Sequence, residues 1–129
     1  MPAQKPQVIH QQFEAAYNAG DIDGLMALYE PDCALIGEPG KVASGPDQVR
    51  AGLDGLIALK GTAKLTTRDV VQVGDLALLS CSWTLDGTGP DGQPLSIGGA
   101  TAEVARRQPD GRWLYVIDNA VADQTIASN

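Results

Sequence analysis

Residues 18–53 read NAGDIDGLMALYEPDCALIGEPGKVASGPDQVRAGL, a run that carries a helix end, a short second helix, a strand, a turn and a third helix. Gly20 suits the residue after a helix C-terminus, where positive φ is wanted. Asp21 follows as an N-cap, and Asp23 adds negative charge at the positive end of the next helix. That second helix carries Leu25, Met26, Leu28 and Tyr29 and is expected to stop before Pro31, because the residue preceding a proline is pushed out of helical geometry. Cys33-Ala34-Leu35-Ile36 is a short apolar strand, Gly37-Glu38-Pro39-Gly40 a turn, and residues 41–43 a brief return strand. Pro46 stands at the first position of the third helix, whose apolar residues Val49, Leu53, Leu56 and Ile57 recur at helical spacing before Gly61 closes it.

Upstream, residues 6–19 place Ile9, Phe13, Ala16 and Tyr17 on one helical face. Downstream the period changes from 3.6 to 2. Residues 62–73 and 75–85 read as strands joined at Gly74-Asp75, followed by a glycine-rich loop at 86–92. A third long strand is expected over 94–107, a tight turn at Pro109-Asp110-Gly111, a fourth strand over 112–121, and a tail over 122–129. Gly98-Gly99 inside the third strand suggests a bulge or bend. Helices first and a meander of long strands second is an α+β pattern, with helices on one face of a mostly antiparallel sheet.

The 129 residues are expected to form one domain, 1–129, with its core over about 6–122. A hydrophobic content of 43% with 19% charged residues belongs to a folded chain able to bury a core. Net charge of -7 argues against nucleic acid or an anionic membrane as partner, since both call for basic patches. It suits neutral or cationic small molecules. Residues 1–17 hold no apolar segment of signal-peptide type, and no run approaches the about 18 apolar residues of a span, so a cytoplasmic location is expected. Cys33 and Cys81 read as reduced, buried thiols. His10, the only histidine, lies among glutamines and is expected on the surface. With one histidine and two separated cysteines there is no metal-ligand spacing, so neither metal nor cofactor is expected. The 86–92 loop lacks the Lys-Ser/Thr of a phosphate cradle.

AGDIDGLMALYEPDCALI followed by ASGPDQVRAGL resembles the amino-terminal half of the nuclear-transport-factor-2-like, or SnoaL-like, superfamily, and RRQPDGRWLYVIDNA resembles the closing hairpin of its small bacterial members. The resemblance implies a cone-shaped, strongly bent sheet wrapped around three N-terminal helices (cystatin-like, ketosteroid-isomerase-like), with a pocket at the open end. Ketosteroid isomerase, polyketide cyclases, limonene-epoxide hydrolase and scytalone dehydratase share this fold with non-enzymatic transport and assembly domains, so fold leaves function open. Laid on ketosteroid isomerase, the oxyanion-hole tyrosine falls on Phe13, the general base on Gly37 beside Glu38, and the protonated aspartate on Glu103. Phe13 cannot donate a hydrogen bond and Gly37 cannot take a proton, which argues against isomerisation by that mechanism.

The closing hairpin offers other chemistry. A tight turn at 109–111 would set Glu103 opposite Val116 and Thr101 opposite Asp118, with all four on one face beside Ile97 and Leu114. The resemblance implies that Glu103 and Asp118 lie on the concave side. Two carboxyls in a poorly solvated cleft resist double ionisation and make an acid/base pair. Glu103 and Asp118 are therefore the candidate catalytic residues, with Phe13, Tyr17, Tyr29, Leu35, Thr101 and Val116 as pocket. The opposite parity, Leu79, Cys81, Trp83, Leu85, Trp113, Tyr115 and Ile117 with Ala100, Ala102 and Val104, makes an outer sheet face suited to a homodimer. Three readings follow: a cofactor-independent isomerase, dehydratase or cyclase for a small, largely apolar or weakly polar molecule; a non-catalytic binder of such a molecule; and an association domain.

Overall fold

The computed structural model describes residues 4–124. Helices α1 (Val8–Asn18) and α2 (Ile22–Met26) are followed by strands β1 (Tyr29–Glu38) and β2 (Lys41–Ser44), then by helix α3 (Gly45–Ile57). The rest is strand: β3 (Thr62–Val73), β4 (Leu76–Thr88), β5 (Pro94–Ala100), β6 (Ala102–Arg107) and β7 (Trp113–Asn119). They form one strongly curved, unclosed sheet in the order β2-β1-β7-β6-β4-β3, with β5 pairing β4 beyond the end of β6. All pairs are antiparallel except β1 with β7. The expected α+β architecture, helices against one face of a bent sheet, is the one found.

Local chemistry accounts for most boundaries. Gly20 takes φ +67° just after α1, and the Asp21 carboxylate accepts from the Gly24 amide at 2.9 Å to cap α2. At Gly98 a Cβ would sit 2.6 Å from the Trp83 carbonyl oxygen, so glycine allows the close approach of β5 to β4. The pairing runs through Gly98 and Gly99 in unbroken register, so they provide proximity rather than an extra residue.

Two elements end differently from expectation. The second helix closes at Met26, and Tyr29 opens β1 instead of continuing the helix. The Leu28 carbonyl, which a longer helix would direct along its own axis, accepts from the Tyr115 amide of β7 at 2.7 Å. The expected third long strand divides at Thr101. There the Thr101 hydroxyl replaces a main-chain carbonyl as acceptor for the Cys81 amide, at 2.8 Å, while the Thr101 amide donates to the Cys81 carbonyl at 2.8 Å. The expected tail at 122–129 lies largely outside the described residues; within them, the Ala122 amide donates to the Ala100 carbonyl at 2.9 Å.

The closing hairpin departs furthest from the expected register. Arg107 pairs with Trp113, so the connection is longer than a tight turn, and Ala105 pairs with Tyr115. This shift places Trp113 and Tyr115 on the inner face, each about 1% exposed, together with Leu79, Cys81 and Leu85. Val116 is then the extra residue of a β-bulge: beyond it Val104 pairs with Ile117 and Glu103 with Asp118. The bulge reverses parity a second time, turning Ile117 outward and Asp118 inward. The outer-face set read from the sequence is corrected accordingly. The outward cross-strand row runs Val71, Leu78, Val104, Ile117 and Ala34.

The core lies between the concave sheet face and the helices. Ile9 and Tyr17 of α1, Leu25 of α2, and Val49 and Leu53 of α3 pack with Leu35, Leu79, Leu85, Trp113 and Tyr115. Leu53 is fully buried in α3. Replacing it by alanine removes buried apolar volume and leaves a cavity, so Leu53→Ala is expected to cost about 2–5 kcal/mol, read as a lowered urea midpoint at unchanged m-value.

Candidate functional site

Strands β6 and β7 lie side by side at the middle of the sheet, which makes Glu103 and Asp118 direct cross-strand partners. Their neighbours in the same row are Leu79 and Leu35, so the two carboxyls stand in an otherwise aliphatic strip. They are 2% and 4% exposed. A buried carboxylate without partners would cost several kcal/mol, and each of these has one. His10 Nε2 donates to Glu103 Oε1 at 2.6 Å, and the Tyr29 hydroxyl donates to Asp118 Oδ2 at 2.6 Å.

His10 is the residue that the sequence reading misplaced. It is 1% exposed, inside the molecule, with Nδ1 held at 2.7 Å by the Thr67 hydroxyl. The Glu103 bond requires a proton on Nε2. Thr67 serves either state of the other nitrogen, donating to a neutral ring or accepting from an imidazolium. The signal was present in the periodicity: His10, Phe13 and Tyr17 are spaced three and four apart and share one helix face.

A cavity of about 70 Å³ opens onto this pair, lined by Phe13, Tyr17, Trp83, Thr101, Glu103 and Asp118 among others. Tyr115 adds a wall, its ring 6.4 Å from Phe13 and 5.1 Å from Tyr29. Of the expected pocket residues, Phe13, Tyr17 and Thr101 line this space. Tyr29 stands behind Asp118, hydrogen-bonded to it, while Leu35 lines a separate groove next to α3. Val116 lines neither; as the bulge residue it is half-buried away from the cavity. Trp83 and Tyr115, expected on the outer face, are walls of the cavity instead.

Burial is the main influence that pushes the Asp118 carboxyl up to about 7; the Glu103 charge adds to it and the Tyr29 hydrogen bond opposes it. Burial first, then nearby carboxylate charge, raises the Tyr29 and Tyr115 phenols well above their usual range, so both remain donors at neutral pH. The Cys81 thiol is pushed up to about 12, chiefly by burial and then by Glu103, and stays protonated. His10, Cys81 and Glu103 bring possible ligand atoms within 4.8 Å of one another. A metal there would have to break the 2.6 Å His10–Glu103 bond and strip the proton from Cys81, so the trio is better described as a hydrogen-bonded His10–Glu103 pair with a neutral thiol, itself bonded to Thr101, beside it.

Comparison with known proteins agrees with this architecture. Residues 9–116 match the SnoaL-like domain, and the chain belongs to that family. Among solved structures, a ketosteroid isomerase-like protein from Erwinia carotovora atroseptica superposes with a TM-score of 0.77 at 19% identity, over 88% of this chain and 90% of that one. A proposed dehydratase of the NTF2-like family from Streptomyces avermitilis gives 0.71 at 23% identity, over 88% and 92%. A proposed calcium/calmodulin-dependent protein kinase type II association domain from Thiobacillus denitrificans gives 0.73 at 23% identity, over 94% and 98%. No curated protein sequence matches. At these identities the structural likeness concerns the fold.

The raised Asp118 carboxyl has a consequence for stability. The native state binds this proton more tightly than the unfolded chain, whose aspartate titrates near 3.9. The resulting stabilisation is full below about 4 and is lost as pH rises through about 7. Urea midpoints of the wild type are therefore expected to fall across that window, and Asp118→Asn is expected to flatten the fall.

Proposed function

We propose that this protein is a cofactor-independent acid/base enzyme acting on a small, largely apolar organic molecule, with Asp118 as the proton-transferring group. The observation that carries the reading is a buried carboxyl poised near neutrality on the wall of an otherwise apolar cavity. Tyr29 occupies one oxygen of Asp118 and fixes its rotation, leaving the other for a ligand. Glu103, anchored by His10, shares the cavity and disfavours loss of the Asp118 proton. Protonated Asp118 gives its proton to a carbonyl, hydroxyl or epoxide oxygen, and the carboxylate so formed recovers one from carbon or water. Isomerisation, dehydration, cyclisation and epoxide hydration all have this form. Phe13 and Gly37 provide neither a phenol nor a carboxylate, so the steroid isomerase's own arrangement is not the one proposed.

Carboxyl-resolved NMR of the protein tests the reading. One side-chain carboxyl is expected to titrate close to pH 7 and to vanish from the spectrum in Asp118→Asn. Glu103→Gln should lower that titration by removing the neighbouring charge. Two carboxyls titrating near 4 would end the proposal. If binding of a ligand survives loss of both carboxyls, the pocket is that of a non-catalytic binder.

A second reading concerns association and rests on the convex sheet face. Val71, Leu78 and Ile117 stand in one cross-strand row at 57%, 54% and 43% exposure, with Val73 and Leu76 beside them. An apolar row of this kind fits a homodimer packed sheet to sheet. Light scattering should give a dimer at micromolar concentration and a monomer for Leu78→Lys; a monomeric wild type would eliminate this reading.

A further inference from the structure

A second space adjoins the inner cavity. The end of β1, β2 and α3 bound a groove of about 580 Å³, with Leu35, Val42, Ala43, Ala51 and Gly52 among its walls. Its charged groups, Glu38 and Lys41, are paired with each other at 3.0 Å and strongly exposed, so they leave no net charge for a ligand to match. The groove and the inner cavity share two residues, Gly37 and Leu56. Leu56 is held in place through its carbonyl, which accepts from the Tyr17 hydroxyl at 2.7 Å. Nothing in the backbone requires glycine at position 37, since its φ lies outside the left-handed region, and a Cβ there would meet nothing within 4 Å. Gly55, on the α3 wall of the groove, is equally unconstrained, although glycine inside a helix is less favourable than alanine. Two glycines without a conformational reason leave open space at the junction and along the groove wall.

We infer that the two spaces hold one uncharged, two-part ligand, with a short oxygen-bearing head at Asp118 and an apolar tail that passes between Gly37 and Leu56 into the outer groove. The head rests on the function proposed above; the tail does not. The inner space has room for roughly five water-sized groups, which limits the head to a ketone or alcohol with few further atoms. The outer space is of the size that takes a drug-sized molecule. A net charge of -7 disfavours an anionic ligand.

A series of methyl ketones from 2-butanone to 2-undecanone, titrated at pH 6 and followed by amide NMR shifts, tests both halves. Affinity is expected to rise about fourfold for each methylene that enters the groove, until the groove is filled. Gly37→Leu should leave 2-butanone binding within about twofold and weaken 2-decanone at least tenfold. Gly55→Leu, which improves the propensity of α3, should penalise long ketones in the same way. Length-independent affinity, equal weakening of short and long ketones by Gly37→Leu, or no saturable binding of any member would overturn the inference. Asp118→Asn separates the two readings. If the head reading alone is wrong, 2-butanone binds the variant and the wild type equally while the dependence on tail length persists.

Discussion

Two carboxyl groups share the buried interior of one sheet, and most of what is particular to this molecule answers that electrostatic problem. Among the described residues no lysine or arginine pairs with Glu103 or Asp118. Glu103 is met by the imidazole of α1, which obliges that helix to dock with a polar side chain facing the core. Asp118 is met by the phenol of Tyr29, which obliges the chain to leave its second helix early and enter β1. Thr67 on β3 completes the far side of the imidazole. Three further elements, α1, β1 and β3, are thus tied to one buried pair on β6 and β7. Removal of one partner from such a pair costs more than the pair itself contributes, because the other is left charged and unsatisfied.

This arrangement also gives different surroundings to carboxyls that would otherwise be equivalent. Glu103 has a basic partner, and Asp118 has a phenol that burial holds in its protonated form. Environment, not residue type, distinguishes the two acids, as in other sites where neighbouring carboxyls take different roles. The aromatic rings of Phe13, Tyr115 and Trp83 supply much of the apolar lining of the cavity.

The fold was legible because its signals are local. Gly20, Asp21, Pro31, Pro46 and the periodicity of α3 mark boundaries within a few residues, and residues 62–73 alternate strongly enough to fix β3. Glu103, Asp118 and Thr101 could be brought to one face from strand spacing, and Phe13 and Tyr17 joined them through the family resemblance. What could not be read is what depends on pairing counts. The loop at Gln108–Arg112 and the extra residue Val116 each move the hairpin by one place, and each such step exchanges inside for outside. Trp113 and Tyr115 were therefore expected on the wrong face. His10 was hidden for a different reason: it stands among Gln7, Gln11 and Gln12, while its partner on the sheet lies far along the chain.

The Val116 bulge makes β7 unequally tolerant of different kinds of change. Its side chain is half-buried and clear of the cavity, so many residues fit there. The number of residues in the ladder is another matter. Were the bulge flattened with Val116 taken into regular pairing, Ile117 would point into the polar cluster and Asp118 into solvent; with Val116 deleted, Ile117 would follow Tyr115 directly and both would keep their present faces. An added residue between Tyr115 and Asp118 is therefore harmless only as long as the strand can bulge it out, whereas loss of the bulge residue would remove the local kink and leave the acid on its present face.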